Sequence, residues 1–167
     1  MQFQKKEKRQ TTVRFDSHHV RLRTGEVQRK TGSYMYRWTD KLGKRNTIYA
    51  ATLEDLREQD AVVQVFFMRG GRLIGRDHFF LRVARGDTKA QVLSSFLKQF
   101  YAGTPFIPAE IMMQTEIEDG EIIEDWLTAR RKQRVHIRVP KKGTKEKLVE
   151  LAKENAWMVL SKDRERI

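Results

Sequence analysis

The sequence predicts an α+β protein in two parts: a small three-stranded antiparallel sheet with one helix over residues 14–59, then a mixed α/β domain over 60–167. Three observations carry this reading. SYMYRWT at 33–39 alternates with the period of a strand, and TKAQVLSSFLKQFYAG at 88–103 repeats its apolar residues with the period of a helix. The remaining segments then alternate strand and helix, the order of a sheet with helices packed on it. Residues 1–13, opening MQFQKKEKRQ, read as a basic N-terminal arm.

In the first part, VRLR at 20–23 reads as a strand followed by a TGE turn. SYMYRWT places Tyr34, Tyr36 and Trp38 on one side and Met35, Arg37 and Thr39 on the other. The turn DKLGKR returns the chain into NTIYA at 46–50, which makes a hairpin. Thr52 stands before LEDLREQ, whose early acids suit a helix N-terminus, so Thr52 is the expected N-cap. The join from LREQ into DAVVQVFF has no Gly, Pro or Ser spacer, as in two directly docked segments or in a recombined, chimeric chain.

In the second part, DAVVQVFFM at 60–68 and RLIGRDHFFLRV at 72–83 flank Arg69-Gly70-Gly71, and paired glycines suit a tight hairpin turn. The helix over 88–103 has apolar residues at 92, 93, 96, 97, 100 and 101, opened by Asp87-Thr88 and closed by Gly103. AEIMMQ at 109–114 is a strand, EIEDGEIIEDWLTARRKQ a second helix with an acidic start, and VHIRV at 135–139 another strand. TKEKLVELAKENAWMVL from Thr144 is a third helix, with Leu148, Leu151, Ala152 and Ala156 expected to face inward.

Charge bounds the function. The chain holds 34 Lys and Arg against 22 Asp and Glu, a net charge of +12 and a pI near 10.1. Residues 1–50 alone carry 13 of these cations against four acids (Glu7, Asp16, Glu26, Asp40), nine of the twelve surplus charges. This is the electrostatic footprint of a phosphate-binding protein, so DNA or RNA is the expected partner; small basic proteins also bind acidic proteins, rRNA or membrane surfaces. The absence of cysteine excludes disulfides and thiolate metal sites and agrees with a reducing compartment. No apolar run approaches the roughly 20 residues of a membrane span, and no apolar segment follows the charged start, so neither a membrane nor a secretory route is expected and a cytoplasmic location is.

Chemical motifs are sparse. His18 and His19 are adjacent and diverge on a strand, while His78 and His136 stand alone, so each reads as a surface or core histidine rather than a metal ligand. Gly70, Gly71 and Gly75 are not followed by the Lys and Ser or Thr of a phosphate loop. No cofactor, metal or small-molecule substrate is expected.

VQVFFMRGGRLIGRDHFFL at 62–80 and FLKQFYAGTPFIPAEI at 96–111 closely resemble the central region of the bacterial excinuclease subunit UvrC, over about residues 60–157. The resemblance implies nucleotide excision repair and a degenerate, inactive RNase H-like fold. UvrC cuts DNA with a GIY-YIG domain upstream of this region and an acidic RNase H-like site downstream. An active RNase H site clusters acids on the first strand, first helix and fourth strand around two Mg²⁺ about 4 Å apart. The corresponding places here hold VVQVFF, a helix without a carboxylate between Thr88 and Phe100, and Met113-Gln114. The expectation is therefore a chain that is not an enzyme.

RLRTGEVQRKTGSYMYRWTDKLGKRNTIYAATLEDLRE at 21–58 resembles the AP2-like, arm-binding domain of tyrosine recombinases. In that family a three-stranded sheet enters the DNA major groove. The resemblance implies DNA contacts at Arg21, Arg23, Arg29, Lys30, Arg37, Lys44 and Arg45, with a solvated charged face as the bland alternative. Tyr34, Tyr36 and Trp38 are either contacts or core, since one sheet face must pack on the helix. Recombinase catalysis needs a further domain, which this sequence has replaced by UvrC-like residues from Asp60. Secondary DNA contacts are expected at Arg69, Arg72 and Arg76 around the glycine hairpin and along Arg130, Arg131 and Lys132, or these mark a plain hairpin and a solvated helix end.

The function so expected is non-catalytic binding of double-stranded DNA by the basic sheet, with DNA repair proteins as further partners. A piece of an incision assembly that needs absent nuclease domains, and a protein-docking scaffold, are the alternatives.

Overall fold

A computed structural model describes residues 12–165, so the basic arm expected over 1–13 falls almost wholly outside the described residues. By internal packing the chain divides into two units, Met1–Glu58 and Gln59–Ile167. Together they make an α+β protein with a small three-stranded sheet in the first.

In the first unit β1 (Arg14–Phe15) and β2 (Arg21–Leu22) form a short antiparallel ribbon. Its turn is organised by Asp16, whose Oδ1 accepts from the backbone N–H of His18 at 2.9 Å and of Val20 at 2.8 Å. The main sheet is β3 (Glu26–Gln28), β4 (Tyr34–Thr39) and β5 (Arg45–Ala50), antiparallel throughout. The first strand of that sheet is therefore EVQ and not the expected VRLR. The reason is Gly25, whose φ of +87° is left-handed and whose Cβ, if present, would lie 2.4 Å from the Arg37 carbonyl oxygen. The chain turns there and joins the sheet only afterwards. Between β4 and β5, Asp40 Oδ1 accepts from the N–H of Leu42 and of Lys44, both at 2.9 Å, which closes the hairpin tip. Helix α1 (Leu53–Arg57) follows, with the Thr52 hydroxyl accepting from the Asp55 N–H as the sequence predicts.

Past α1 come β6 (Glu58–Arg69), all but its first residue in the second unit, and β7 (Arg72–Ala84), a hydrogen-bonded pair turned by Gly70 and Gly71 at φ of +55° and +75°. Two consecutive positive φ values are what a two-residue hairpin turn requires. Helix α2 (Lys89–Gly103) opens on a capping box in which Thr88 and Gln91 each accept from the other's backbone N–H. Then come β8 (Glu110–Met112), α3 (Gly120–Arg131), β9 (His136–Arg138) and α4 (Gly143–Glu165), with β8 and β9 parallel. One apolar core runs through β6, α2, β8 and α3, where Ile123, Leu127 and Val135 are fully buried. Phe79, Phe96 and Phe100 stack around one another at ring centroids 5.3–5.7 Å apart and add aromatic packing to it.

Two expectations are corrected here. Glu116, Glu118 and Asp119 precede α3, because Asp119 adopts the left-handed φ of +58° and the helix begins at Gly120, leaving Glu121 as the acid of its first turn. In α4, Leu148, Ala152 and Ala156 are only half-buried and Leu151 is 45% exposed, so the expected inward stripe is not sealed.

Candidate nucleic-acid interface

Strand register decides which side chains of the first unit share a face. Tyr34 lies opposite Gln28 and Ala50, Tyr36 opposite Glu26 and Ile48, and Trp38 opposite Asn46, so these residues all point to one side. Helix α1 belongs to that side. Arg57 Nε and Nη2 donate to the Glu26 carboxylate at 2.9 and 2.8 Å, and Nη2 also donates to the Arg21 carbonyl oxygen at 2.9 Å. Glu26 is 3% exposed. Burial pushes its carboxyl up, but the Arg57 hydrogen bonds, the Arg23 N–H at 2.7 Å and the guanidinium charge outweigh burial and hold it below the usual carboxylate range.

The same side claims the aromatics. Tyr34 is 5% exposed and its hydroxyl donates to Asp16 Oδ2 at 2.8 Å, a bond that raises the phenol's pKa. Asp16 in turn is held low, first by the Val20 N–H and further by the Tyr34 hydroxyl and the His18 N–H, against the upward push of burial. Tyr34 is thereby corrected from a DNA contact to a core residue, since neither its ring nor its hydroxyl is left for a ligand. Tyr36 is half-buried and Trp38 is exposed, and their rings stack with centroids 5.2 Å apart at 13°.

The opposite face is basic and, apart from the buried Met35 and the half-buried Val27, open. Val27, Met35, Arg37, Thr39, Arg45, Thr47 and Tyr49 share it by register, and none is acidic. Arg37, Arg45 and Thr47 are exposed. Tyr49 is 63% exposed, and the Arg29 guanidinium lies 5.1 Å from its ring centroid. Cation–π contact of this kind fixes a flexible arginine while its N–H groups remain outward. Lys30 sits exposed in the turn between β3 and β4, and Lys44 at the tip between β4 and β5. Arg21 and Arg23 are exposed beside the sheet, their carbonyl oxygens used by Arg57 and by the Glu26 N–H. Tyr49 was not among the expected contacts; its signal was the hairpin register, which sets it opposite Met35 and away from Tyr34 and Tyr36.

The secondary residues divide. Arg69, Arg72 and Arg76 are exposed along the β6–β7 hairpin. Arg130 donates to the Tyr101 carbonyl oxygen and lies over the Trp126 ring at 5.2 Å, and Arg131 Nη1 donates to the Arg134 carbonyl oxygen at 3.2 Å. Lys132 closes α3 in the left-handed conformation, its N–H on the Thr128 carbonyl at 2.9 Å. Arg130 and Lys132 are exposed and Arg131 is half-buried, with both arginines also hydrogen-bonded to carbonyl oxygens of the same unit. Among the described residues no group of three or more His, Asp or Glu could hold a metal ion, and no helix is long and apolar enough to cross a membrane.

Two family models match the chain, overlapping over residues 54–64. The family model described as the DNA binding domain of tn916 integrase matches residues 10–64, and the one described as the UvrC ribonuclease H-like domain matches residues 54–163. UvrABC system protein C of Lachnospira eligens is 60% identical over 109 residues, 65% of this chain and 18% of that protein. The proteins of the same description from Clostridioides difficile and Acetivibrio thermocellus are 44% and 43% identical over 67% and 66% of this chain, and 20% and 18% of their own lengths. The chain thus spans about a fifth of the length of the curated relatives it matches. No solved structure matches it. With more than half of its 167 residues inside the UvrC match, preceded by an integrase-type DNA-binding segment, the chain belongs to the UvrC ribonuclease H-like domain family.

Proposed function

We propose that this chain is a non-catalytic DNA-binding protein in which the open face of β3–β4–β5 grips duplex DNA. The observation that carries the reading is the pairing of Arg29 with the exposed Tyr49 on the same acid-free face as Arg37 and Arg45, within a segment matching an integrase DNA-binding domain. A sheet of this width fits the major groove, where guanidinium groups reach phosphates and guanine edges alike. Arg21, Arg23, Lys30 and Lys44 flank that face and take backbone phosphates. Each phosphate neutralised releases counterions, so binding weakens steeply with salt.

Anisotropy of a labelled duplex across a salt series tests this. The full chain binds at low salt, and Arg37→Ala/Arg45→Ala reduces both the affinity and the log–log salt slope, the latter by about 2, one for each phosphate no longer neutralised. Wild-type chain that leaves the duplex free at low salt would overturn the reading. A second reading, favoured by the 60% identity to UvrABC system protein C, is a contribution to incision that needs further domains. Mg²⁺-dependent nicking of a damaged duplex by this chain alone would overturn the non-catalytic part.

A further inference from the structure

A second surface lies on the β6–β7 hairpin, separate from the sheet of the first unit. Val63, Val65, Phe79 and Leu81 turn into the core of the second unit, so their neighbours Gln64, His78 and Phe80 turn away from it, and Arg76 falls in step with them. Helix α4 runs beside this outward face. Between them Gln64, Arg76, His78, Asn155, Met158 and Lys162 line a cleft of about 520 Å³. Phe80 stands next to it, 54% exposed, with the His78 ring edge-on at 5.4 Å. The one acid in the lining, Asp77, accepts at Oδ1 from the His78 backbone N–H at 2.8 Å, and the Gln64 amide donates to the Asp77 carbonyl at 2.9 Å.

We propose that this cleft binds single-stranded nucleic acid. Arg76 and Lys162 take phosphates from the two walls, and the exposed Phe80 ring stacks a base. The charge balance favours an anion, because the two cations outnumber the single carboxylate of Asp77 in the lining. The exposed ring selects a single strand over a duplex, whose bases present no free π-face; cations tracking a backbone beside an aromatic platform is the general recipe for such binding. Asn155 offers an amide to whichever base edge enters, which gives tolerance of sequence rather than a code. Arg72, exposed further along the same strand towards the glycine turn, extends the cationic track beyond the cleft.

The test uses the full chain, a fluorescein-labelled oligothymidylate of roughly 12 nucleotides and, in parallel, a labelled duplex. Arg76→Ala/Lys162→Ala and, separately, Phe80→Ala each weaken oligothymidylate binding roughly tenfold and leave the duplex unchanged. All three side chains are exposed, and far-UV circular dichroism checks that the variants keep their fold; if the double variant unfolds, Phe80→Ala alone decides. Wild-type chain that does not bind the oligonucleotide, or cleft variants that bind it as well as wild type, would overturn the proposal. So would equal losses on both ligands, which mark a diffuse charge effect. Arg37→Ala/Arg45→Ala separates the two sites: it is expected to spare oligothymidylate, and absent duplex binding with cleft-dependent oligonucleotide binding sinks only the sheet reading.

Discussion

The two units hold themselves together by different means. The first has few buried apolar side chains, Tyr34, Met35 and Leu56, and relies on two buried carboxylates, Asp16 and Glu26, each tied to hydrogen-bond donors from distant parts of the chain. The second packs Ile123, Leu127, Val135 and an aromatic group from α2 and β7 into one apolar core. A sheet of so few residues buries little apolar surface, so polar ties replace missing area. Buried charge on the helix-bearing side thus stands in for apolar area that so small a sheet lacks.

The largest test of this contrast is in the apolar core. Leu127→Ala, at a fully buried position, is expected to cost about 3–4 kcal/mol and to raise amide hydrogen exchange across α2, α3 and β8 while leaving β3–β5 protected. Next is Glu26→Ala, which strands the Arg57 guanidinium and costs about 2 kcal/mol, read as faster exchange confined to β3–β5. Exchange that rises in both units after either change would break the comparison. Thr88→Ala removes half of a capping box and is expected to cost about 1 kcal/mol in denaturant unfolding, felt at the start of α2. Smallest at neutral pH, where it vanishes, is the effect of acid. Asp16 and Glu26 have folded pKa values below their unfolded ones, so their contribution is complete above the unfolded range near pH 4 and is lost as pH falls through the folded values. The second unit has its counterpart at the other extreme. Burial pushes the Tyr101 phenol up to about 12, so its contribution holds below the ordinary value of about 10 and is lost as pH rises through the folded one. Thermal unfolding followed at pH 3 and at pH 11 is expected to loosen the first unit in acid and the second in base.

Much of the fold was legible because it is local. Gly70-Gly71, the stripe of α2, the Thr52 and Thr88 caps and the β4–β5 hairpin each depend on residues a few positions apart. The third strand was misplaced because the turn at Gly25 answers to the Arg37 carbonyl, which sequence spacing does not reveal. Alternation showed that the sheet has two faces and could not say which one is covered. That depended on Arg57 reaching Glu26 across 31 residues, and it set Tyr34 inside and Tyr49 outside. The bond from Arg130 to the Tyr101 carbonyl was invisible for the same reason, since the two lie 29 residues apart. The resemblance to UvrC was readable from contiguous runs, and the family match covers those runs.

The hairpin tip closed by Asp40 has a further consequence. Leu42 there is 94% exposed between Lys41 and Lys44, whereas α1 ends at Arg57 and β6 starts at Glu58 with no residue between them. A trypsin-like protease meets accessible chain at the tip before it meets slack at the boundary. A nick at this tip severs β4 from β5 and leaves the chain continuous from α1 into β6. Resistance of the bonds after Lys41, Lys44 and Arg45, followed over time with and without duplex, turns an accident of loop geometry into a reporter of whether a ligand covers the sheet.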